Sequence, residues 1–441
     1  MSPKERLARD VAQRLRQAGF TAYFAGGCVR DRLMGHEPDD YDIATDAGAE
    51  TVQSLFPRTV PVGVQFGVIL VILENEAFEV ATFRSDDVYL DGRHPSAVHF
   101  GSPQEDAQRR DFTINGMFLD PATDTVLDYV GGQADLQAGI IRAIGEPAAR
   151  IAEDRLRMLR AVRFAARFGF QIEAATFAAL KHSAAQIIDI AWERIGDEIV
   201  KMLVDGPPGS ARTAFELLDE AGLLQAVLPE VAAMKSVPQS PDYHPEGDVF
   251  VHTLGLLQRL ERPSEPLALA ALLHDVAKPQ CLAVREHRIT FYGHCEQGAV
   301  VATEVCKRLR RSRETWERVA YLVKNHLRHT SAPEMRASTL KRFLREEGIE
   351  ELLELARLDA LASRGDLTTY EFCRARREEM GDEVLRPVPL LTGRDLIALG
   401  LRPGPEFGAL LEAALDAQLE GVLVTRDDAL AWVAARTAST D

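Results

Sequence analysis

Cysteine is scarce in this chain: five residues in 441 (Cys28, Cys281, Cys295, Cys306 and Cys373), with no CxxC pair. That spacing excludes a disulfide-dense scaffold and makes a reducing cytoplasm the economical expectation. Long apolar runs are also missing. No segment approaches the ~20 residues that a membrane-spanning helix needs, so no membrane partner is expected. The segment Met1–Arg6 opens an amphipathic helix and lacks the apolar centre of a signal peptide, in keeping with a cytoplasmic location. An excess of positive charge is lacking as well, the formal net charge being −16. That balance argues against a polyanionic partner, because phosphate contacts come from Lys and Arg. Net charge, however, governs solubility more than it governs one local patch. Arginine is in fact concentrated at Arg150, Arg155, Arg157, Arg160, Arg163 and Arg167, and a second cluster follows at Lys307, Arg308, Arg310, Arg311 and Arg313.

What is present is a folded, modular chain. Hydrophobic residues make up 46% and charged residues 27%, the composition of a globular protein. The length exceeds one compact core and suits two to four modules. Leu7, Val11 and Leu15 mark a first helix that stops at Gly19, and Thr21–Ala25 reads as a strand running into Gly26-Gly27. Residues 28–34 read as helix and Asp40–Thr45 as strand, with Asp46 as N-cap of the helix ending before Pro57. Phe66–Leu73 and Ala77–Phe83 flank Glu74-Asn75-Glu76 as a hairpin. From about residue 147 the pattern is helical almost throughout, punctuated by Gly206-Pro207-Pro208-Gly209 and by the proline-rich stretch Val237–Pro245. No repeat period emerges, and only the tail Thr437–Asp441 reads as disordered. The fold class is α+β. A head (1–145) of small mixed sheet and helices precedes a helical neck (146–205), a helical body (206–370) and a helical tail (371–441).

The head carries the first chemical constellation: Gly26-Gly27-Cys28-Val29-Arg30-Asp31 followed by Asp40-Tyr41-Asp42. Two glycines between a strand and a helix let the backbone approach a triphosphate, with helix N–H groups facing the anion. Arg30 adds a charge-assisted fork. Asp40 and Asp42, two apart on a strand, present both carboxylates to one face. Carboxylates held together repel unless a cation lies between them, and Mg²⁺ favours such hard oxygen ligands. Two ions clamping the attacking and leaving oxygens of an in-line displacement is the chemistry this pattern suits. Glu79 in the following hairpin is a candidate third carboxylate.

With these motifs the sequence resembles the class II CCA-adding enzymes and bacterial poly(A) polymerases of the polymerase-β-like nucleotidyltransferases, over nearly its whole length. Arg109-Arg110-Asp111-Phe112-Thr113-Ile114-Asn115-Gly116 is similar to the family element that binds ribose and phosphates, which assigns nucleotide contacts to Arg110, Asp111 and Asn115. The family more usually has Ala where this chain has Gly116, a change expected to be harmless. Glu153-Asp154-Arg155-Leu156-Arg157, with Arg160 and Arg163, is similar to the nucleobase-reading helix, and Arg194 and Glu198 match its supporting element. On one helix Asp154 and Arg157 would be neighbours at i and i+3, one acceptor beside several donors in place of a template base. The polar segment Arg84–Pro95 looks like the family's flexible loop, and its presence favours terminal A addition. Poly(A) polymerases of the best-known type carry Gly-Arg-Arg-Phe after the metal strand, where this chain reads Val62-Gly63-Val64-Gln65-Phe66-Gly67.

In the body, His252, His274-Asp275, His294 and His326 match the HD phosphohydrolase pattern within about 245–360, and Asp359 is a further candidate ligand. Imidazole with carboxylate suits a divalent transition metal such as Mn²⁺, Ni²⁺ or Co²⁺. The family pattern often has Glu directly after the third His; here Cys295 intervenes before Glu296. The resemblance implies addition of CCA to tRNA 3′ ends from CTP and ATP with two Mg²⁺ in the head, and an additional metal-dependent phosphatase or cyclic phosphodiesterase activity in the body. The nearest rival is an A-adding enzyme or poly(A) polymerase of the same family. A rival of another class is an HD phosphohydrolase whose head only binds RNA, against which intact Asp40 and Asp42 argue.

Overall fold

The computed structural model describes residues 1–63, 67–86, 98–242, 244–285, 288–385 and 388–437. The chain forms two compact units, one of residues 1–232 with 260–262 and 308–311, the other of the remainder.

The first unit opens with helix α1 (Pro3–Gln17), whose N-cap Ser2 accepts from Glu5 N. Leu7, Ala8, Val11, Ala12 and Leu15 recur at helical spacing and are all buried. Gly19, at φ +91°, lets the chain reverse after it. Strand β1 (Ala22–Ala25), helix α2 (Gly27–Leu33), strand β2 (Ile43–Thr45) and helix α3 (Ala49–Leu55) follow. Then come strands β3 (Thr59–Gly63), β4 (Val68–Leu73) and β5 (Glu76–Thr82). Glu74 and Asn75, both at positive φ, form the two-residue turn between β4 and β5, the geometry that matches strand twist in a tight hairpin. A small pair, β6 (Arg84–Asp86) and β7 (Val98–Phe100), precedes helix α4 (Pro103–Gln108) and strands β8 (Met117–Asp120) and β9 (Thr125–Asp128). The main sheet runs β3-β4-β5-β2-β1-β8-β9. Its pairs are antiparallel except β2 with β5, where Ile43 sits opposite Val80. One core gathers Phe24, Ile43, Phe78, Val80, Met117 and Leu119 with the apolar side of α1. A smaller one holds Ala25, Ala44, Phe83, Ala107 and Phe118. Each fully buried Phe or Leu contributes about 1.5–3 kcal/mol, so this double-faced sheet is a stiff platform for the loop between α2 and β2.

Two local expectations need correction. Strand β2 begins only at Ile43, and Asp40 and Asp42 lie in the segment that leads into it. Asp46 does not cap α3; the N-cap is Gly48, and the Asp46 carboxylate instead accepts from Thr21 N at 2.7 Å. A cap must be adjacent to the helix, and the chain spends one more turn before α3 begins.

The rest of this unit is helical apart from a short two-residue strand pair: α5 (Gly132–Ala138), α6 (Pro147–Glu153), α7 (Arg157–Phe168), α8 (Ala174–Ser183), α9 (Trp192–Val204), α10 (Ser210–Glu220), α11 (Leu223–Val227) and α12 (Pro229–Ala232). The second unit is helical with one small hairpin. Its helices include α13 (Val249–Leu257), α14 (Glu265–Leu273), α15 (Lys278–Cys281), α16 (His294–Arg308), α17 (Arg313–Asn325), α18 (Ala337–Leu344) and α19 (Ile349–Ala362); His252 lies in α13, His294 opens α16, and His274 and His326 directly follow α14 and α17. Among the described residues no helix is long and apolar enough to cross a membrane.

Candidate active site

The first unit contains an open cleft of ≈ 730 Å³ lined by Gly26, Gly27, Arg30, Asp40, Asp42, Arg84, Arg109, Arg110, Asp111, Asn115, Asp154, Arg157, Arg160, Arg163, Phe164, Arg167 and Lys201. Nine of these are cationic and four anionic, so a chain of net charge −16 presents a cationic surface here. Glu79 is not among the lining residues, but it precedes the Val80–Ile43 pair on the strand beside Asp42. Burial holds the Asp42 carboxyl up to about 6, with Glu79 and Asp40 adding repulsion and Arg110 easing it. Asp40 is 85% exposed and receives the Lys4 ammonium at 2.7 Å. A buried carboxylate with two further acids near it fits a hard divalent cation, and Asp40, Asp42 and Glu79 are the residues that could hold one.

Beside these acids lies an anion cradle. Gly26, at φ +72°, caps α2, and a Cβ there would meet Arg110 Nη1 at 2.8 Å. Glycine is therefore required both by the backbone and by the close approach. Arg30 is buried, donates to Asn115 Oδ1 at 2.6 Å and to Asp31 at 2.8 Å, and lies over the Phe168 ring at 4.6 Å. Asp111 accepts from Arg160 at 2.6 Å and from Asn115 Nδ2 at 3.0 Å. Burial alone would raise the Asp111 carboxyl, yet Arg160 and Asn115 hold it down at about 2. Asp111 and Asn115 thus fix Arg160 and Arg30 in place. Gly116 is less neutral than its resemblance implies. A methyl group there would lie 2.7 Å from Val130 Cγ2 and 3.0 Å from Ile144 Cδ1, so an Ala would need both neighbours to yield.

Asp154 and Arg157 line the same cleft, but they are not i and i+3 on one helix. The chain breaks between α6 and α7, and Asp154 at φ −142°, ψ 103° stands in the break. Its carboxylate accepts from Leu156 N at 3.1 Å and from both Nη groups of Arg194, at 3.4 and 3.1 Å. Arg157 directs three of its five N–H groups to Arg150 O, Glu153 and Arg109 O. Glu198 accepts from Arg163 at 2.6 Å, both being buried. The Arg194–Glu198 element of α9 therefore braces Asp154 and Arg163 from behind.

Several residues in or beside the cleft receive no role of their own from the sequence. Asp106 is fully buried and accepts from Arg109 Nε at 2.8 Å and from Arg110 at 3.0 Å. Its spacing of three and four from those arginines is the usual signal of helical ion pairing. Phe164 and Phe168 stack with rings 5.9 Å apart and nearly parallel, one turn apart on α7. Arg167, Lys201, Arg84 and Arg109 complete the wall. The expected flexible loop and the stretch 64–66 fall largely outside the described residues, as does the tail beyond Thr437.

The second unit brings His252, His274, Asp275, His294 and His326 together, and Asp359 with them. His252 Nε2 lies 3.0 Å from Asp359 Oδ1, and His274 Nε2 lies 3.1 Å from Asp275 Oδ2. The Nδ1 atoms face outward, to Glu246 (His252, 2.6 Å), Ala271 O (His274, 3.1 Å), Phe291 O (His294, 2.7 Å) and Val323 O (His326, 2.7 Å). The Nε2 atoms of His252, His274 and His326 and Asp275 Oδ1 are buried and make no directed hydrogen bond. Burial, with His274 adding repulsion, drives His326 down to about 4, leaving it neutral with its ligand lone pair available. Burial would lower His252 too, but Asp359 and Glu246 outweigh it and hold it up to about 9. A proton there takes the place a metal would claim. Orphaned buried donors and acceptors in an imidazole–carboxylate set fit a transition metal.

Comparison with known proteins gives three family matches along the chain. Residues 22–142 match the family described as Poly A polymerase head domain, residues 169–235 the probable RNA and SrmB-binding site of polymerase A, and residues 249–364 the HD domain. A CCA-adding enzyme of Limosilactobacillus fermentum is 45% identical over 198 residues, which are 45% of this chain and 49% of that protein. One of Geobacillus stearothermophilus is 42% identical over 233 residues, 53% of this chain and 56% of that protein. The match thus spans about half the length of these curated relatives. The crystal structure of the Bacillus stearothermophilus CCA-adding enzyme in complex with CTP superposes with a TM-score of 0.74 at 27% identity, covering 100% of this chain and 99% of the other. The Thermotoga maritima CCA-adding enzyme complexed with tRNA shares the fold, with a TM-score of 0.62 at 21% identity and coverage of 100% and 97%.

Proposed function

We propose that this chain, a member of the family defined by the Poly A polymerase head domain, builds the CCA end of tRNA from CTP and ATP without a nucleic-acid template. The observation that carries the reading is one cleft holding both an acidic pair, Asp40 and Asp42, and a braced carboxylate–guanidinium pair, Asp154 and Arg157, within a cationic wall. The terminal ribose 3′-OH attacks the α-phosphate, and pyrophosphate leaves. Two Mg²⁺ ions, when bound to Asp40 and Asp42 with Glu79 alongside, would stabilise the attacking and leaving oxygens. Arg30, Arg110 and Arg160 neutralise the triphosphate, their forks aimed by Asn115, Asp106 and Asp111. The bare backbone at Gly26-Gly27 lets the phosphates come close, and the stacked Phe164 and Phe168 carry the Arg30 guanidinium from below. Asp154 accepts from the exocyclic amino group of C or A while Arg157 donates to the ring nitrogen. The partners are therefore the tRNA 3′ end, CTP and ATP.

The test uses tRNAs ending before CC, after one C and after CC, each with CTP alone or ATP alone. CTP should complete the two C positions and stop, and ATP should add a single A to the CC-ended tRNA only. Long A tails on every primer would instead make the chain a poly(A) polymerase, and a single A on the CC-ended tRNA with no addition from CTP would make it an A-adding enzyme.

The orphaned Nε2 atoms favour a second activity in the HD cluster, metal-dependent hydrolysis of phosphate esters or 2′,3′-cyclic phosphates. Its ligands belong to the other compact unit from the acidic pair. The double substitution His274→Ala with Asp275→Ala should abolish phosphatase or cyclic phosphodiesterase turnover and leave nucleotide addition within about twofold, since the two sites draw their ligands from different compact units. Loss of addition in a still-folded double variant would show that the two sites are coupled.

A further inference from the structure

We propose that the Cys295 thiolate is a ligand of a metal ion held by the His294, Cys295 and His326 group of the HD cluster. The proposal rests on the HD reading above and goes beyond it in assigning a sulfur ligand to that site. The ligand atoms fall into two groups. Those of His252, His274 and Asp359 lie within 4.8 Å of one another, and so do those of His294, Cys295 and His326. Asp275 reaches both groups. Its Oδ2 is 3.1 Å from His274 Nε2 and 3.9 Å from His252 Nε2, while its Oδ1 is 3.5 Å from His294 Nε2 and 3.9 Å from His326 Nε2. That Oδ1 is buried without a hydrogen bond, as is His326 Nε2. One carboxylate with an oxygen for each group is the arrangement of a bridging ligand between paired ions.

The second group has the donor chemistry of a tetrahedral site, and two of its edges have the spacing. Bonds of about 2.0 Å to nitrogen or oxygen and about 2.3 Å to sulfur give edges of about 3.3 Å for N···O and 3.5 Å for N···S. His294 Nε2 lies 3.5 Å from Asp275 Oδ1 and 3.6 Å from Cys295 Sγ. His294 and His326 hold their Nδ1 atoms against the carbonyls of Phe291 and Val323. That fixes the tautomer with the Nε2 lone pair facing the group. Two imidazoles, a thiolate and a carboxylate select borderline-soft Zn²⁺ or Co²⁺ over Mg²⁺ or Ca²⁺. This is also the position at which the sequence places Cys295 directly after the third histidine. The bland alternative is a thiol donating to His294 Nε2 with no ion, and it is separable by experiment.

Cobalt is the probe, added to the metal-stripped full chain in excess Mg²⁺ so that the head carboxylates stay occupied. A sulfur-to-cobalt charge-transfer absorption in the near ultraviolet should grow in. Cys295→Ser should lose that band together with about one bound cobalt per chain, whereas Asp359→Asn should lose the other cobalt and keep the band. Cys281→Ser should change neither. On the unmutated chain, Zn²⁺ should protect Cys295 from iodoacetamide, read by peptide mass, which makes the test independent of how a variant folds. Cobalt binding without the band, or a Cys295 alkylated equally with and without Zn²⁺, would overturn the thiolate ligand while leaving the HD reading intact. No cobalt binding at all would overturn both.

Discussion

Asp42→Ala should abolish nucleotide addition while tRNA binding survives, and Asp40→Ala should do the same. The two carboxylates are two of four acids in a cleft lined by nine cationic side chains, so on the proposed reading removing one takes away a cation ligand and no phosphate contact. RNA affinity comes from Arg and Lys and should hold or rise slightly. The expected loss in kcat is at least ~10²–10³-fold, the range for removing one preorganised group that stabilises transition-state charge. The Asp42 carboxyl, held up to about 6 without a cation, adds a pH signature. A group with a raised pKa keeps its proton up to that value, so protons compete with the cation as pH falls toward 6 and more Mg²⁺ should be needed for half-maximal rate. Single-turnover extension of a CC-ended tRNA across a Mg²⁺ series, with filter binding as the control, reads both effects. Near-normal turnover of either alanine variant would remove these residues from the chemistry.

What the sequence discloses well is chemistry written at short spacing. Asp40-x-Asp42 after Gly26-Gly27, and His274-Asp275 at the end of an apolar helix, are adjacent in the chain and so are legible before any folding. The hairpin at Glu74-Asn75 was legible for the same reason. Features decided by packing were not. Asp154 looked like a helical neighbour of Arg157 because propensity alone does not end a helix there. In the fold the carboxylate at the break accepts from Leu156 N and from Arg194, forty residues on. Asp46 looked like a cap because its type is right, while the fold spends its carboxylate on Thr21 N. Asp106 could have been found from its i+3 and i+4 arginines. The partition of the histidines into two groups around Asp275 could not, since it depends on five helices and the turns at their ends meeting in one unit.

Arg194→Ala should relax discrimination against UTP although Arg194 itself lies outside the cleft lining. Cytosine and adenine each offer an amino donor beside a ring-nitrogen acceptor, the complement of a carboxylate beside a guanidinium. Uracil reverses both, placing O4 against Asp154 and N3–H against Arg157. Each mismatched buried polar group costs ~1–3 kcal/mol, more when charged, and sites built on such matching reject a wrong analogue by up to ~10⁴-fold or more. The matching requires Asp154 to keep one orientation, which Arg194 supplies through its two Nη groups. Asp154 stands in a helix break, and once Arg194 is gone its carboxylate keeps the Leu156 N–H but loses both charged donors. Asp154→Ala and Arg157→Ala should therefore lower kcat/KM for CTP and ATP by ~10²-fold or more and collapse the CTP-to-UTP ratio. Arg194→Ala should collapse the ratio with a smaller loss for CTP, since the carboxylate is still present but no longer aimed. Arg157→Lys should not rescue, because a point ammonium cannot reproduce a planar fork whose other N–H groups are already committed to Glu153, Arg150 O and Arg109 O. The measurement is kcat/KM for CTP, ATP and UTP on one tRNA, alongside the Mg²⁺ dependence, which should not move. If Asp154→Ala and Arg157→Ala both kept the wild-type ratio of CTP to UTP, the base would be read elsewhere in the cleft.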